Sequence, residues 1–387
     1  MAHTKGRSSR CAFQPRPKKK PAPPAAPRVV KPALPASQLA HYQLLLRVFA
    51  SAYAAELAAR EDLQSTIQDV KKALYERDFA AAFENEEGLA GYAARWSPTR
   101  ALCYAGVLAA VDLSEGRGRR KNVVDYGGED EDEDEEAEGG KGEDKRESEE
   151  EEEKEELHIV ALGGGAAELA AYASLRCQSP AISGSLTLID SAPWTSVLAR
   201  LETHLSLPPL LSKYASASAH AANAALMSPE AASSLHIHFS QADLLALSPA
   251  DLRAVVFRDG PPRKTLVTLL FTLNELYAVS RGKTTLLLLA LTEMLPIGSG
   301  LLVLDSPGSY SEAAVGKEMR RYPMRLLVEH TLLREERGVQ KEKVWEQVET
   351  EESVWFRLPE GLEYPIQLEN MRYQKHLYKL VKPEKRT

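Results

Sequence analysis

Three observations predict an α/β core over residues 157–381: short apolar runs alternate with helical stretches, a glycine run directly follows the first apolar run, and a carboxylate closes the second. Such alternation builds a parallel sheet with helices on both faces. The predicted strands are 158–162, 186–189 ending at Asp190, 235–239 followed by Asp243, 265–271 leading into Asn274 and Glu275, and 300–304 ending at Asp305. Carboxylates therefore cluster where the carboxyl ends of the strands should meet. Open α/β sheets place their ligands at that edge.

Ahead of the core, the chain changes character twice. Residues 1–37 carry nine Lys or Arg and no Asp or Glu, with Pro and Ala between them. Such a segment has too little apolar surface to fold and is expected to be disordered. Its PKKKP string at 17–21 reads as a nuclear-import patch or an RNA-binding arm, against the plainer reading of a flexible basic tail. Residues 38–125 read as helical. Leu39, Tyr42, Leu45, Leu46, Phe49, Tyr53 and Leu57 recur at helical spacing, with Ser37 as the expected N-cap. Further helices are expected over about 63–83 and after Pro98. Arg95 and Arg100 lie beside Tyr92 and Trp96 in the stretch between them, where they would contact RNA or form helix-end salt bridges. Residues 126–156 are a low-complexity acidic insert, expected to be an unstructured linker.

Charge sharpens this division. The net charge is −7, yet residues 129–156 alone carry −15, which leaves +8 on the rest. A basic body points to an anionic partner such as nucleic acid, although a solvated surface has the same composition. Cys11, Cys103 and Cys177 are too few and too far apart for a disulfide framework or a metal cluster. No apolar run approaches the length of a membrane span. No secretory signal pattern opens the chain. A soluble intracellular protein with neither metal nor membrane partner is the expectation. The nine histidines are scattered and read as structural.

The glycine run LGGGAAE (162–168) sits at a strand-to-helix turn. Gly163, Gly164 and Gly165 would let backbone approach a cofactor with no Cβ in the way. A dinucleotide fingerprint needs a small residue where this chain has Glu168, and a carboxylate there opposes a pyrophosphate. S-adenosylmethionine has no phosphate and carries a sulfonium and an ammonium, so an acidic loop suits it. Asp190 is placed to accept from ribose hydroxyls, or else to cap a helix starting near Pro193. Asp243 is placed to accept from the adenine amino group, or to cap a turn. Asn274, Glu275 and Asp305 are the candidate catalytic residues at the same edge, with helix or loop capping as their structural alternative. No P-loop, zinc spacing or Ser-His-Asp order is present.

Taken together, several strings resemble the fungal nucleolar 25S ribosomal RNA (uridine-N(3))-methyltransferases. They are HIVALGGG (158–165), LIDSAPW (188–194), FTLNELY (271–277), LDSPGSY (304–310), WFRLP (355–359), ENMRYQ (369–374) and RWSPTRA (95–101). Resemblance covers about 38–381, interrupted by the acidic insert. The glycine loop is one small residue shorter than the family pattern. The resemblance implies a Rossmann-like S-adenosylmethionine-dependent methyltransferase core, roughly seven-stranded, with an RNA-facing helical extension. It implies methyl transfer to N3 of a uridine in large-subunit ribosomal RNA or a pre-ribosome, in the nucleolus of the nucleus. Two alternatives stay open: a methyltransferase for another base or a protein, and a non-catalytic RNA-binding or assembly factor on the same fold.

Overall fold

The computed structural model describes residues 34–112, 156–179, 182–221, 223–258, 260–308, 310–315, 318–333 and 343–382. Most of the basic tail, and the acidic insert up to residue 155, lie outside these residues. The first four strands and their neighbour are β1 (Glu156–Leu162), β2 (Ser183–Asp190), β3 (Ile237–Gln241), β4 (Thr265–Leu270) and β5 (Gly300–Asp305). A hairpin follows, β6 (Tyr310–Val315) with β7 (Glu318–Pro323). The chain then adds β8 (Val344–Phe356) and β9 (Met371–Val381).

Seven strands form one mixed sheet in the order β3-β2-β1-β4-β5-β9-β8. β1 to β5 are mutually parallel. β9 enters antiparallel to β5 and β8 antiparallel to β9. The strand order turns back after β1, so β1 and β4 flank the crevice where a doubly wound sheet binds its ligand. β4 and β5 are buried along their whole length, as continuous apolar runs require in a sheet covered on both faces. Alternation decides which layer each residue joins: Ile159 and Ala161 pack with one apolar cluster, Val160 and Leu162 with the other.

Among the described residues, six helices precede the sheet: α1 (Ala36–Ala52), α2 (Ala54–Ala58), α3 (Arg60–Tyr75), α4 (Phe79–Ala82), α5 (Glu86–Arg95) and α6 (Ser97–Ala109). Eight lie within the core: α7 (Ala166–Gln178), α8 (Thr195–Leu205), α9 (Ala217–Ala221), α10 (Pro229–Ser233), α11 (Pro249–Phe257), α12 (Leu273–Val279), α13 (Arg281–Met294) and α14 (Met324–Leu332). The leading helices share a single apolar cluster with α7, α8 and one sheet face. Polar ties reinforce that layer. Tyr53 donates its hydroxyl to the Val197 carbonyl at 3.1 Å, and Arg200 grips both carboxylate oxygens of Glu56 at 2.8 Å. The loop between β8 and β9 closes over the same helices, through Tyr364 to the Ala94 carbonyl and through the Arg95–Glu369 ion pair.

Several expected boundaries move, each for a local reason. Ser37 lies inside α1, whose N-cap is Pro35 and makes no side-chain cap bond. The stretch 92–100 is helical on both sides of Trp96, because α5 and α6 abut there. The third strand starts two residues later than expected, since His236 takes a left-handed φ of 48°. The fourth ends at Leu270, where Phe271 turns left-handed at φ 63°. Asn274 and Glu275 consequently stand in the first turn of α12 rather than at a strand end, and the cap of that helix is Thr272.

Candidate active site

The glycine loop is shaped by its protein neighbours. Gly163 has φ 73°, and a Cβ there would lie 2.3 Å from the Thr272 side chain. A Cβ on Gly164 would lie 2.6 Å from that of Ala161, and one on Gly165 would lie 2.9 Å from the Trp194 ring. The turn thus brings β1, β4 and the residues after β2 into close contact at one point. Gly165 then acts as N-cap of α7, and its N–H donates to Glu168 Oε2 at 2.8 Å. That is the half of a capping box available to a glycine cap.

Four carboxylates collect at the carboxyl edge. Burial pushes the Glu168 carboxyl up to about 7, opposed by the backbone N–H groups it accepts from and by Arg100. Burial likewise raises Asp190 to about 6, opposed by the Ala192 N–H and the Trp194 side chain. Its Oδ1 accepts from the Ala192 N–H at 2.7 Å. The expected alternative role of Asp190 does not arise, because α8 starts at Thr195 with Trp194 at the N-cap. Burial raises Glu275 furthest, to about 8; Arg100 pulls it down, while Asp305 and Asp190 push it up. Asp305 is 3% exposed and organises the backbone around it. Its Oδ2 accepts from the Asn274 N–H at 2.9 Å and its Oδ1 from the Ser306 N–H at 2.7 Å. Asp243 is exposed, and its Oδ1 accepts from the Leu245 N–H at 2.9 Å in a surface turn after β3.

Arg100, expected at an RNA contact or a helix-end ion pair, projects from α6 into this edge instead. Its guanidinium lies 5.0 Å from the Phe271 ring centre and 5.3 Å from that of Tyr92, within cation–π range. It also donates to the Tyr92 hydroxyl. Tyr92 packs edge-on to Trp194 at 6.1 Å and to Phe83 at 5.1 Å. These aromatics were readable in the sequence only as core. What places them is the docking of a helix more than fifty residues upstream of β1, which no local pattern encodes. Among the described residues, no group of three or more His, Cys, Asp or Glu is arranged to hold a metal, and no helix is long and apolar enough to cross a membrane. At the opposite edge of the sheet, a cavity of about 470 Å³ is lined by His158, His236, His238, Arg176, Arg258 and Arg263. It lies the full length of β1 from the carboxylates.

This donor set fits a cation. One guanidinium faces several carboxylates, and burial holds three of them above their ordinary range. A sulfonium and an ammonium would add positive charge beside them, whereas a phosphate would meet like charge.

The family model Methyltransf_34, described as "Putative SAM-dependent methyltransferase", matches residues 49–379. The chain belongs to this family of S-adenosylmethionine-dependent methyltransferases. S-adenosylmethionine is accordingly its cofactor. A curated relative, the 25S rRNA (uridine(2843)-N(3))-methyltransferase of Saccharomyces cerevisiae, is 27% identical over 340 residues, covering 82% of this chain and 78% of the relative. The resemblance noted in the sequence is thereby borne out. Among solved structures, a variant 16S rRNA (adenine(1408)-N(1))-methyltransferase from Catenulisporales acidiphilia aligns over 60% of this chain and 91% of its own, at 11% identity and a TM-score of 0.33. The N-methyltransferase NodS from Bradyrhizobium japonicum WM9 aligns over 59% and 86%, at 13% identity and a TM-score of 0.30.

The raised carboxyls make a testable statement about cofactor binding. A cationic ligand binds their ionised forms, so binding near pH 7 should release protons and affinity should rise from pH 6 to 8.5. In the cofactor-free protein the sign is opposite. These groups hold protons that the unfolded chain has already lost, so their contribution to stability falls as pH rises from about 4 and levels off once the folded values of about 6 to 8 are passed. Calorimetry in two buffers of different ionisation enthalpy measures the proton count. Proton uptake on binding would remove these carboxylates from the cofactor site.

Proposed function

We propose that this methyltransferase acts on large-subunit ribosomal RNA and transfers its methyl group to N3 of a uridine. The observation that carries this reading is similarity over 340 residues to a protein that bears that activity in its name. The basic charge left outside the acidic insert supports an RNA partner. Nucleolar action in the nucleus follows from such a substrate; the lysines at 18–20 that would aid import lie outside the described residues.

Uracil N3 carries a proton and lies on the pairing edge of the base. It is a poor nucleophile until that proton leaves, and it is buried in the stack while paired. The site must therefore hold an unpaired or flipped base. The cofactor, when bound, supplies a methyl group activated by its sulfonium. Gly163, Gly164, Gly165 and Glu168 would form the turn against it, and Asp190 would accept from its ribose. Asp243, in the turn after β3, is the remaining candidate contact, to the adenine.

Asn274 and Glu275 stand on the first turn of α12, beside this crevice. The ionised Glu275 carboxylate takes the N3 proton, and a carboxyl poised near neutrality suits that exchange. The Asn274 side-chain amide donates to a uracil carbonyl, where negative charge develops as the proton leaves. Asp305 holds the Asn274 backbone and thus the first turn of α12, which makes it a positioning residue.

Mass spectrometry of nucleosides from large-subunit RNA, with and without the gene, tests the reaction. The expected result is one 3-methyluridine lost on deletion and restored by the wild-type chain. An unchanged 3-methyluridine level together with loss of a different methylated nucleoside would reassign the target base.

A further inference from the structure

Trp355 lies near the end of β8, the outermost strand of the sheet. Its neighbour Phe356 is buried in the core on one face, so strand alternation turns Trp355 to the other, where it is 45% exposed. What sets this exposed ring apart from the other exposed apolar side chains is its company. This one carries two exposed arginines over its ring, within cation–π range. The Arg357 guanidinium lies 5.4 Å from its ring centre and that of Arg372 lies 5.6 Å from it. Arg372 is fixed by donating its Nε–H to Ser353 Oγ at 2.6 Å. Ser353 sits at an irregularity where the β8–β9 register shifts between Glu351 and Val354.

Register ties this trio to the catalytic edge. Asp305 at the end of β5 pairs with Gln374 of β9, and Arg372, two residues earlier, pairs with Trp355. Residues paired across a sheet, or two apart along a strand, share a face, so Asp305, Gln374, Arg372 and Trp355 all point the same way. Gln374 reaches back to the Ser306 carbonyl at 2.8 Å, next to Asp305. A rise of about 3.3 Å per residue and a strand spacing of about 4.8 Å put the Trp355 and Asp305 backbones about 12 Å apart. That distance suits a nucleotide near the reacting one, not the reacting base itself.

We infer that Trp355, with Arg357 and Arg372, forms a stacking platform for an unpaired base flanking the target in single-stranded RNA. The indole and the guanidinium planes over it together offer stacking surfaces for a base, and the guanidiniums answer the adjoining phosphates. Base stacking on an aromatic residue combined with cationic backbone contacts is how single strands are held without reading sequence. The platform deepens the reading of RNA as substrate and rests on it.

The test uses the full chain and a single-stranded uridine octamer, followed by fluorescence anisotropy and by tryptophan emission. The wild-type protein should bind with quenching of emission. Trp355→Phe should keep affinity within about threefold and lose most of the quench. Trp355→Ala should weaken binding about tenfold or more. Substituting glutamine for Arg357 and Arg372 together should lower the slope of log affinity against log salt by about 1.4. Octamer affinity within twofold of wild type in Trp355→Ala, with an unchanged circular dichroism spectrum, overturns the proposal. Persistence of the quench in Trp355→Phe overturns it as well. The nucleoside measurement separates this from the reaction itself: loss of 3-methyluridine on gene deletion, with octamer binding indifferent to Trp355, sinks the platform and leaves the reaction standing. Octamer binding that requires Trp355 in a protein whose deletion spares every methylated uridine supports the platform and overturns the reading of the reaction.

Discussion

Replacing Glu275 by glutamine is expected to lower the rate of methyl transfer about 10²- to 10⁴-fold while leaving cofactor affinity within a few-fold of wild type. The range is that of a lost general base. Glutamine preserves the shape of the side chain and its place in the first turn of α12, so the fold should not change. The wild-type rate should rise with pH through the region of about 8 where Glu275 ionises, with the bound cofactor cation moving that rise lower. In Glu275→Gln this dependence should flatten. Single-turnover methylation of a uridine-containing RNA between pH 6 and 9 measures both effects. Turnover within a few-fold of wild type, with the pH dependence intact, would pass the base role to Asp305. Asp305 already accepts two backbone N–H groups, which occupy part of its acceptor capacity.

The parallel half of the sheet was legible because its signal is local. Each of β1, β2, β4 and β5 is a short apolar run that ends in glycine, carboxylate or a polar pair, and the structure places those ends together. The antiparallel half was not. β8 spans 13 residues but reads as an acidic string, with charged and polar residues where a covered strand would be apolar. Its residues tolerate charge because it is an edge strand, and bulges break its alternation. The carboxylates were found by position alone. Arg100 in their midst was not, because its place depends on α6 docking beside α7 across the acidic insert. The first turn of α12 was assigned to the end of the preceding strand for a similar reason. The left-handed turn at Phe271 is set by its surroundings, and no glycine or proline announces it.

Asp190 carries the other large effect, and here function and stability should move in opposite directions. Its carboxylate ends β2 within a crevice that raises it to about 6, so at pH 7.5 the cofactor-free protein holds a buried charge at a cost. Asparagine keeps an oxygen for the Ala192 N–H and removes that charge. Asp190→Asn should therefore melt no lower than wild type, and higher if relief of the buried charge outweighs a weaker bond to Ala192. Cofactor affinity should fall at the same time. A carboxylate that accepts two ribose hydroxyls makes two charge-assisted hydrogen bonds, each worth about 1.5–3 kcal/mol. Losing their charge, together with its attraction for the cofactor's cations, should raise Kd about 100-fold or more. Asp190→Ala should behave alike in binding but lose some stability with the Ala192 contact. Thermal melting with and without S-adenosylmethionine reads both quantities in one titration. The wild-type protein should gain Tm with cofactor, and Asp190→Asn should gain almost none at the same concentration. A full cofactor shift in Asp190→Asn would place the ribose elsewhere in the crevice and leave Asp190 a turn residue that accepts from Ala192 and Trp194. A selected cost to stability at a binding site is the expected pattern for a group kept for its ligand.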